Sequence, residues 1–186
     1  VLAAFFWAGA FIAGKLSAPF IPPFTLTFLR FLVATFVLYG VMRYRKESIY
    51  ILKKKDIYVF LFTGLIGMFG YHVLFFSALR LTTAISSSII GATNPIITTI
   101  LSIIFLKDKI TWKRLLGIIL SFTGVFLTIT NADINVLTTL NFNKGDLLMV
   151  VAVLMWSSYS VFSKLVMPRY SPMTLTFYSF LFCTVF

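Results

Sequence analysis

The sequence consists of long apolar stretches separated by short polar ones. Stretches of about 18 or more mostly apolar residues are typical of helices that cross a membrane. Backbone amides in lipid must be paired within their own segment, and no stretch alternates in polarity as a barrel strand does, so we predict helices. The predicted spans are 1–18, 24–42, 57–79, 84–106, 115–130, 147–167 and a seventh that starts near 173.

The composition favours a membrane protein over a soluble one. Hydrophobic residues make up 60% of the 186 residues and charged residues 11%, whereas soluble domains have about 45–50% and 25%. The net charge is +11, but the basic residues lie between the apolar stretches, so we predict no nucleic-acid partner. The chain starts with Val and stops inside an apolar stretch, so we expect it to be a fragment.

The basic residues also predict the orientation in the membrane. Six lie in the connection 43–55 and four in 107–114, whereas the other connections between spans hold at most one. Lys and Arg are enriched in cytoplasmic loops, so we expect the first span to start on the cytoplasmic side. The polar loop 131–145 is then external.

The two ends of the chain carry the same pattern. Residues 1–37 align without a gap on 150–186, and fourteen of the 37 pairs are identical, among them a Trp, a Lys, two Pro and three Thr. Five spans separate the copies, and because five is odd the second copy enters the membrane from the opposite side. Such an inverted repeat is typical of secondary transporters, with a site where the halves meet; the alternative is a duplicated bundle without a pathway.

Two strings carry a resemblance to a known family. One is WAGAFIAGKL, followed by a prolyl turn and by Arg30; the other is GYHVLFFSALRLTTAISSSIIGATNPIITTILSIIFLKDKITWKRLLGIILSFTGVFL, with its mid-helix Pro, charged turn and glycine-bearing fifth helix. In this order they resemble the EamA family of the drug/metabolite transporter superfamily. The resemblance covers residues 1–130 and 146–186.

The resemblance implies an all-α, polytopic membrane helical bundle with inverted five-helix repeats around a central cavity, of which seven of an expected ten spans are visible. The first repeat is 1–130, the external loop is 131–145, and 146–186 begins the second repeat. Members of the family mostly export or import amino acids, related metabolites or drugs.

Each copy of the repeat carries a candidate substrate-binding face. Helical spacing lets Trp7, Phe11 and Lys15 share one face. The corresponding set in the second copy is Trp156, Ser160 and Lys164. Such a face suits a carboxylate-bearing solute between aromatic walls. The alternative is that each Lys only reaches to the membrane interface.

Further candidates lie in spans 2 to 4. Tyr71 and His72 are candidates for the cavity wall, and His72 either binds substrate, carries a proton or only bonds a neighbouring helix. Arg30 we interpret as a structural charge that caps carbonyls or fixes span 1 against span 2, with substrate binding as the alternative.

The fourth span carries a proline at its centre. Pro95 cannot donate a backbone hydrogen bond, so we predict a kink there. With Ser88 and Asn94 it forms a polar patch at mid-depth, which in transporters lines a cavity.

Several classes of function lack their sequence features. No predicted span contains Asp or Glu, no catalytic triad or phosphate loop is present, and Cys183 is the one cysteine. We therefore predict no enzyme activity, no cofactor and no metal. The sequence favours a secondary transporter for small metabolites, working by alternating access in a prokaryotic cytoplasmic membrane, with the lipid bilayer and a small-molecule substrate as partners. The alternative is a membrane-embedded enzyme or a structural membrane subunit whose functional residues lie beyond residue 186.

Overall fold

The structure is a computed structural model that describes residues 2–47, 49–130 and 142–186. These residues form helices, turns and coil, without a strand, so the all-α class is confirmed. We number the helices by predicted span. Their bounds are α1 Leu2–Ser17; α2 Pro23–Tyr44; α3 in three consecutive segments, Ile57–Leu61, Phe62–Gly70 and Tyr71–Leu81; α4 in two, Ala84–Ala92 and Asn94–Leu106; α5 Trp112–Thr130; α6 Lys144–Val166; and α7 Pro172–Val185.

Among the described residues, four stretches of helix are long and apolar enough to cross a membrane. They are Pro23–Tyr44, Lys54–Leu81, Ala84–Leu106 and Lys144–Val166. The exposed side of α2 carries large apolar residues, including Val33, Phe36 and Val37, at 60% exposure or more. A face of this kind is suited to contact with lipid, because acyl chains are as apolar as the side chains of a protein core. Most of the predicted external loop 131–145 lies outside the described residues.

Local signals in the sequence set where several helices begin. Pro23 stands at the start of α2, where its missing amide hydrogen and fixed φ cost nothing. Asn143 and Asp146 form a capping box at the start of α6, in which Asn143 Oδ1 accepts the Gly145 amide at 2.7 Å and Asp146 Oδ2 accepts the Asn143 amide at 2.9 Å. Ser171 caps α7 in front of its proline, accepting the Thr174 amide at 3.1 Å.

The middle of α3 is a wide π-helical segment, Phe62–Gly70, which the sequence analysis did not predict. The segment contains glycines at 64, 67 and 70. A methyl group at Gly67 would overlap the ring of Tyr159 in α6, and one at Gly64 would meet Phe182 in α7. The glycines therefore let α3 approach α6 and α7 closely.

The ends of α1, α3 and α6 meet at one end of the bundle. Lys15, in the last turn of α1, donates from Nζ to the Leu79 carbonyl at 2.5 Å and to the Thr82 carbonyl at 2.7 Å, at the end of α3. The Thr82 hydroxyl donates to the carboxylate of Asp146, in the first turn of α6, at 2.5 Å. Consequently α1 and α3 run in the same direction, and α6 runs in the opposite direction.

The helices α2 and α7 are also antiparallel. Met42, near the end of α2, shares a hydrophobic cluster with Leu175 and Phe177, near the start of α7. Phe31, in the first half of α2, instead clusters with Cys183 near the end of α7. The two helices therefore lie side by side and cross near their middles.

Candidate functional site

A cavity of about 510 Å³ lies among the six helices α1 to α6. Volumes of 300–1,000 Å³ are typical of sites for small molecules. Its lining residues come from every one of these helices: Phe11, Arg30, Tyr71, His72, Phe75, Gly91, Ala92, Asn94, Pro95, Thr98, Thr99, Arg114, Ile118, Ser121, Met149, Val153 and Trp156.

Aromatic rings form much of the cavity wall. Phe11 of α1 meets Phe75 of α3 edge to face, with ring centroids 4.8 Å apart. Tyr71 of α3 and Trp156 of α6 lie with centroids 4.8 Å apart and their planes tilted by 41°. Paired rings of this kind offer flat apolar surfaces to a solute, and they hold α3 against α1 and α6.

The break in α4 brings polar groups to the cavity. The helix is interrupted at Thr93, and Pro95 stands at the start of the second segment and lines the cavity. Asn94 Oδ1 accepts hydrogen bonds from the Ser157 hydroxyl of α6 at 2.8 Å and from the Thr98 hydroxyl at 3.1 Å. The amide nitrogen of Asn94 has no hydrogen-bond partner among the described residues, so it can donate to a solute.

The charges at the cavity wall are positive. Arg30 and Arg114 line the cavity, and none of the lining residues is Asp or Glu. Arg114, near the start of α5, has its Nη1 3.8 Å from Asp108 Oδ2. Arg30 forms no hydrogen bond or ion pair with any described residue. The described wall is therefore electropositive and has one arginine without a counter-ion.

His72 also lines the cavity. Its Nδ1 lies 2.7 Å from the Met68 carbonyl one turn earlier in α3, and its ring meets Phe31 of α2 edge on at 4.7 Å. A ring nitrogen that meets a carbonyl carries the proton, so Nδ1–H donates this bond. The second nitrogen, Nε2, has no hydrogen-bond partner among the described residues.

The two repeat-related lysines lie outside the cavity wall. Lys15 binds the two carbonyls at the end of α3 described above. Lys164 Nζ lies 2.7 Å from Asp108 Oδ2, which also accepts the Ser102 hydroxyl at 2.9 Å. These hydrogen bonds, from Lys164 first and then Ser102, hold the pKa of Asp108 below its ordinary value. Lys164 thus joins α6 to the connection between α4 and α5.

The remaining predicted residues are placed as follows. Ser88 is half-buried in α4 and is not among the lining residues. Ser160 donates to the Trp156 carbonyl of its own helix at 2.8 Å. The side chain of Trp7 lies outside the described part of the structure. The cavity thus brings together Phe11, Tyr71, His72, Asn94, Pro95 and Trp156 of the predicted set, with Arg30 beside them.

Sequence reasoning missed several polar residues at this site, among them Thr98, Ser157 and Arg114. Thr98 lies one helical turn after Asn94, so helical spacing alone could have grouped them. Ser157 follows Trp156, which the repeat had already singled out. Arg114 belongs to the basic connection 107–114, which was used to predict the orientation in the membrane. No sequence signal distinguishes it from the other basic residues there.

Comparison with known proteins identifies what the chain is similar to. The model of the EamA-like transporter family matches residues 1–130 and 143–186. The Uncharacterized transporter YyaM of Bacillus subtilis is 35% identical over 68% of this chain and 41% of its own length. An Uncharacterized transporter of Archaeoglobus fulgidus is 30% identical over 97% of this chain and 61% of its own length.

A more distant relative and a solved structure agree with these matches. The Uncharacterized inner membrane transporter YhbE of Escherichia coli is 25% identical over 96% of this chain and 57% of its own length. A protein of known crystal structure superposes with a TM-score of 0.70 at 20% identity, over 95% of this chain and 60% of that one, so the two share a fold. The chain spans 41% to 61% of the length of these curated relatives.

Proposed function

The chain belongs to the EamA-like transporter family, and from this premise we propose that the protein is a secondary transporter that moves small metabolites, such as amino acids or related organic solutes, by alternating access. The observation that carries the proposal is the cavity of about 510 Å³ among α1 to α6, which combines aromatic walls, a broken helix and polar groups. Transporters place their sites at mid-membrane, where discontinuous helices line a cavity.

The inverted repeat is part of this proposal. The antiparallel course of α1 and α6 supports it, because these helices carry the two copies of the repeated pattern. In the full protein, 1–130 is then one five-helix unit and 146–186 begins a second, giving ten helices. The basic connections 43–55 and 107–114 lie on the cytoplasmic side.

Contacts between repeat-equivalent residues also support the inversion. The rings of Phe31 and Phe180 lie 5.0 Å apart, and the hydroxyl oxygens of Thr35 and Thr184 lie 3.5 Å apart. Both pairs are separated by 149 residues, the offset of the repeat. In an antiparallel helix pair, equivalent residues meet only near the axis that relates the two helices, so these contacts support a two-fold axis between α2 and α7.

Polar contacts join α6 to its neighbours at both of its ends. At one end, Thr82 of α3 bonds Asp146 of α6; at the other, Lys164 of α6 bonds Asp108 after α4. Alternating access requires that one end open while the other stays closed, by rocking one half against the other. The hydrogen bond between Ser157 and Asn94 lies between these two contacts. In the proposed mechanism it stays next to the bound solute whether the cavity opens to the inside or to the outside.

The test is uptake of a solute panel by the full-length protein in proteoliposomes. We expect saturable uptake of at least one amino acid or organic acid, lowered severalfold by Ser157→Ala, which removes the α6 partner of Asn94. The matched control is Ser158→Ala, because the Ser158 hydroxyl donates to the Leu154 carbonyl of its own helix at 2.8 Å. Equal uptake by both variants would contradict the assignment of the cavity, and absence of any protein-dependent uptake would contradict transport.

A further inference from the structure

We propose that Arg30 binds the anionic group of the transported solute, and that the solute is a carboxylate with an apolar or aromatic body. This inference rests on the proposed transport function and names the substrate class of that site. It assigns Arg30 a binding role where the sequence alone favoured a structural one.

The surroundings of the other cations set Arg30 apart. Lys15 donates to two helix-terminal carbonyls, at 2.5 and 2.7 Å, and Lys164 pairs with the carboxylate of Asp108 at 2.7 Å. Arg114 lies 3.8 Å from the same carboxylate. Arg30 lines the cavity and forms no ion pair or hydrogen bond with any described residue, so its N–H donors are available to a solute in the cavity.

A structural role for Arg30 would leave a recognisable set of contacts. An arginine that caps carbonyls or fixes one helix to another donates hydrogen bonds to them. The repeat-equivalent residue, Ser179 of α7, does have such contacts: its hydroxyl lies 2.8 Å from the Thr63 hydroxyl of α3 and 2.6 Å from the Leu175 carbonyl. In the second copy of the repeat this position, Ser179, therefore contributes to helix packing. In the first copy the same position, Arg30, lines the cavity.

The neighbours of Arg30 suit a carboxylate that is attached to an apolar or aromatic body. A guanidinium binds a carboxylate through two parallel hydrogen bonds, and in a low-dielectric cavity such a pair is strong. Tyr71 and His72 share the cavity wall with Arg30, and the rings of Tyr71 and Trp156 provide a flat surface for an apolar body. The free amide nitrogen of Asn94 can donate to the same solute.

The same wall disfavours an amine. None of the lining residues of the described cavity is an Asp or Glu, so an ammonium group would meet Arg30 without a compensating carboxylate. Like charges in a cavity of low dielectric repel strongly. The solute should therefore be selected by its negative charge, with the uncharged analogue bound less well and the cationic analogue least.

The experiment compares three probes with one skeleton on the purified full-length protein: 3-phenylpropionate, its primary amide and 3-phenylpropylamine. Equilibrium binding is measured for the wild type and for Arg30→Gln, Arg30→Lys and Arg80→Gln. Arg80 is exposed at the end of α3 and outside the cavity wall, so its variant has the same change in net charge and serves as the control.

We expect the wild type to bind the carboxylate at least tenfold more tightly than the amide. Arg30→Gln should weaken carboxylate binding by roughly 10- to 100-fold, as expected for loss of hydrogen bonds between charged groups, and should leave amide binding within about threefold. Arg30→Lys should fall between, because it keeps the charge and loses the paired hydrogen bonds. Arg80→Gln should match the wild type.

The ratio of carboxylate to amide affinity is the deciding quantity, because a general loss of folded protein lowers both affinities together. An unchanged ratio in Arg30→Gln and Arg30→Lys would overturn the inference, as would wild-type preference for the amine or no binding of any probe. Proteoliposome uptake of other solutes can persist in each of these cases, so failure of the inference is distinguishable from failure of the transport proposal.

Discussion

Replacing Lys15 with methionine should destabilise the protein without changing its affinity for solute. Lys15→Met keeps the length of the side chain and removes the ammonium group that bonds the Leu79 and Thr82 carbonyls at 2.5 and 2.7 Å. Hydrogen bonds to charged groups contribute about 1.5–3 kcal/mol each, and a cation at a helix C-terminus adds some tenths of a kcal/mol. Since one ammonium makes both bonds, we expect a loss of about 2–4 kcal/mol.

The assay is thermal unfolding of the full-length protein in detergent. For a protein of the length of its curated relatives, the expected loss lowers the unfolding midpoint by about 3–6 °C. The control is Lys164→Met at the repeat-equivalent position, where the side chain is 58% exposed and pairs with Asp108 near the surface. Exposed ion pairs contribute little, so this variant should shift the midpoint less. An unchanged midpoint for Lys15→Met would show that these two bonds do not stabilise the fold, and weaker solute binding by the same variant would place Lys15 in the binding site.

Three further predictions concern the kink, the helix packing and the topology. Pro95→Ala should allow a continuous α4 and lower transport at unchanged membrane abundance; normal transport would leave Pro95 a packing residue. Gly67→Ala should lower the unfolding midpoint, because the added methyl overlaps an aromatic ring of α6, whereas Gly117→Ala, with no atom within 4 Å of the added methyl, should not; equal midpoints would argue against the close contact of α3 with α6. In a cysteine-free background, an impermeant thiol reagent should label Thr138→Cys in intact right-side-out cells and Ser48→Cys only after permeabilisation. Labelling of both from one side would make the repeat parallel.

The bounds of the helices could be predicted from the sequence because apolar stretches determine them. Predicted and described ends agree within three residues for the spans that the structure describes. The interruption of α4 next to Pro95 follows from local chemistry in the same way, since a proline cannot donate the backbone bond. The π-helical segment was not predicted, because its three glycines act through contact with rings and side chains of distant helices.

The partners of polar side chains could not be predicted from the repeat. Lys15 and Lys164 occupy equivalent positions, yet one binds carbonyls of α3 and the other the Asp108 carboxylate. Each partner comes from a part of the chain that the repeated pattern does not contain. The position of Arg30 on the cavity wall has the same origin, because it depends on how α2 packs against α3.

Counterflow in proteoliposomes distinguishes alternating access around the cavity from passage through a channel. Vesicles that contain the full-length protein are loaded with an unlabelled solute found in the uptake panel and diluted into a trace of the labelled solute. A carrier that exposes one site to each side in turn predicts transient accumulation of label above the outside concentration, and loss of that accumulation in Ser157→Ala. A monotonic approach to the outside concentration for every transported solute would indicate a channel and would contradict the account.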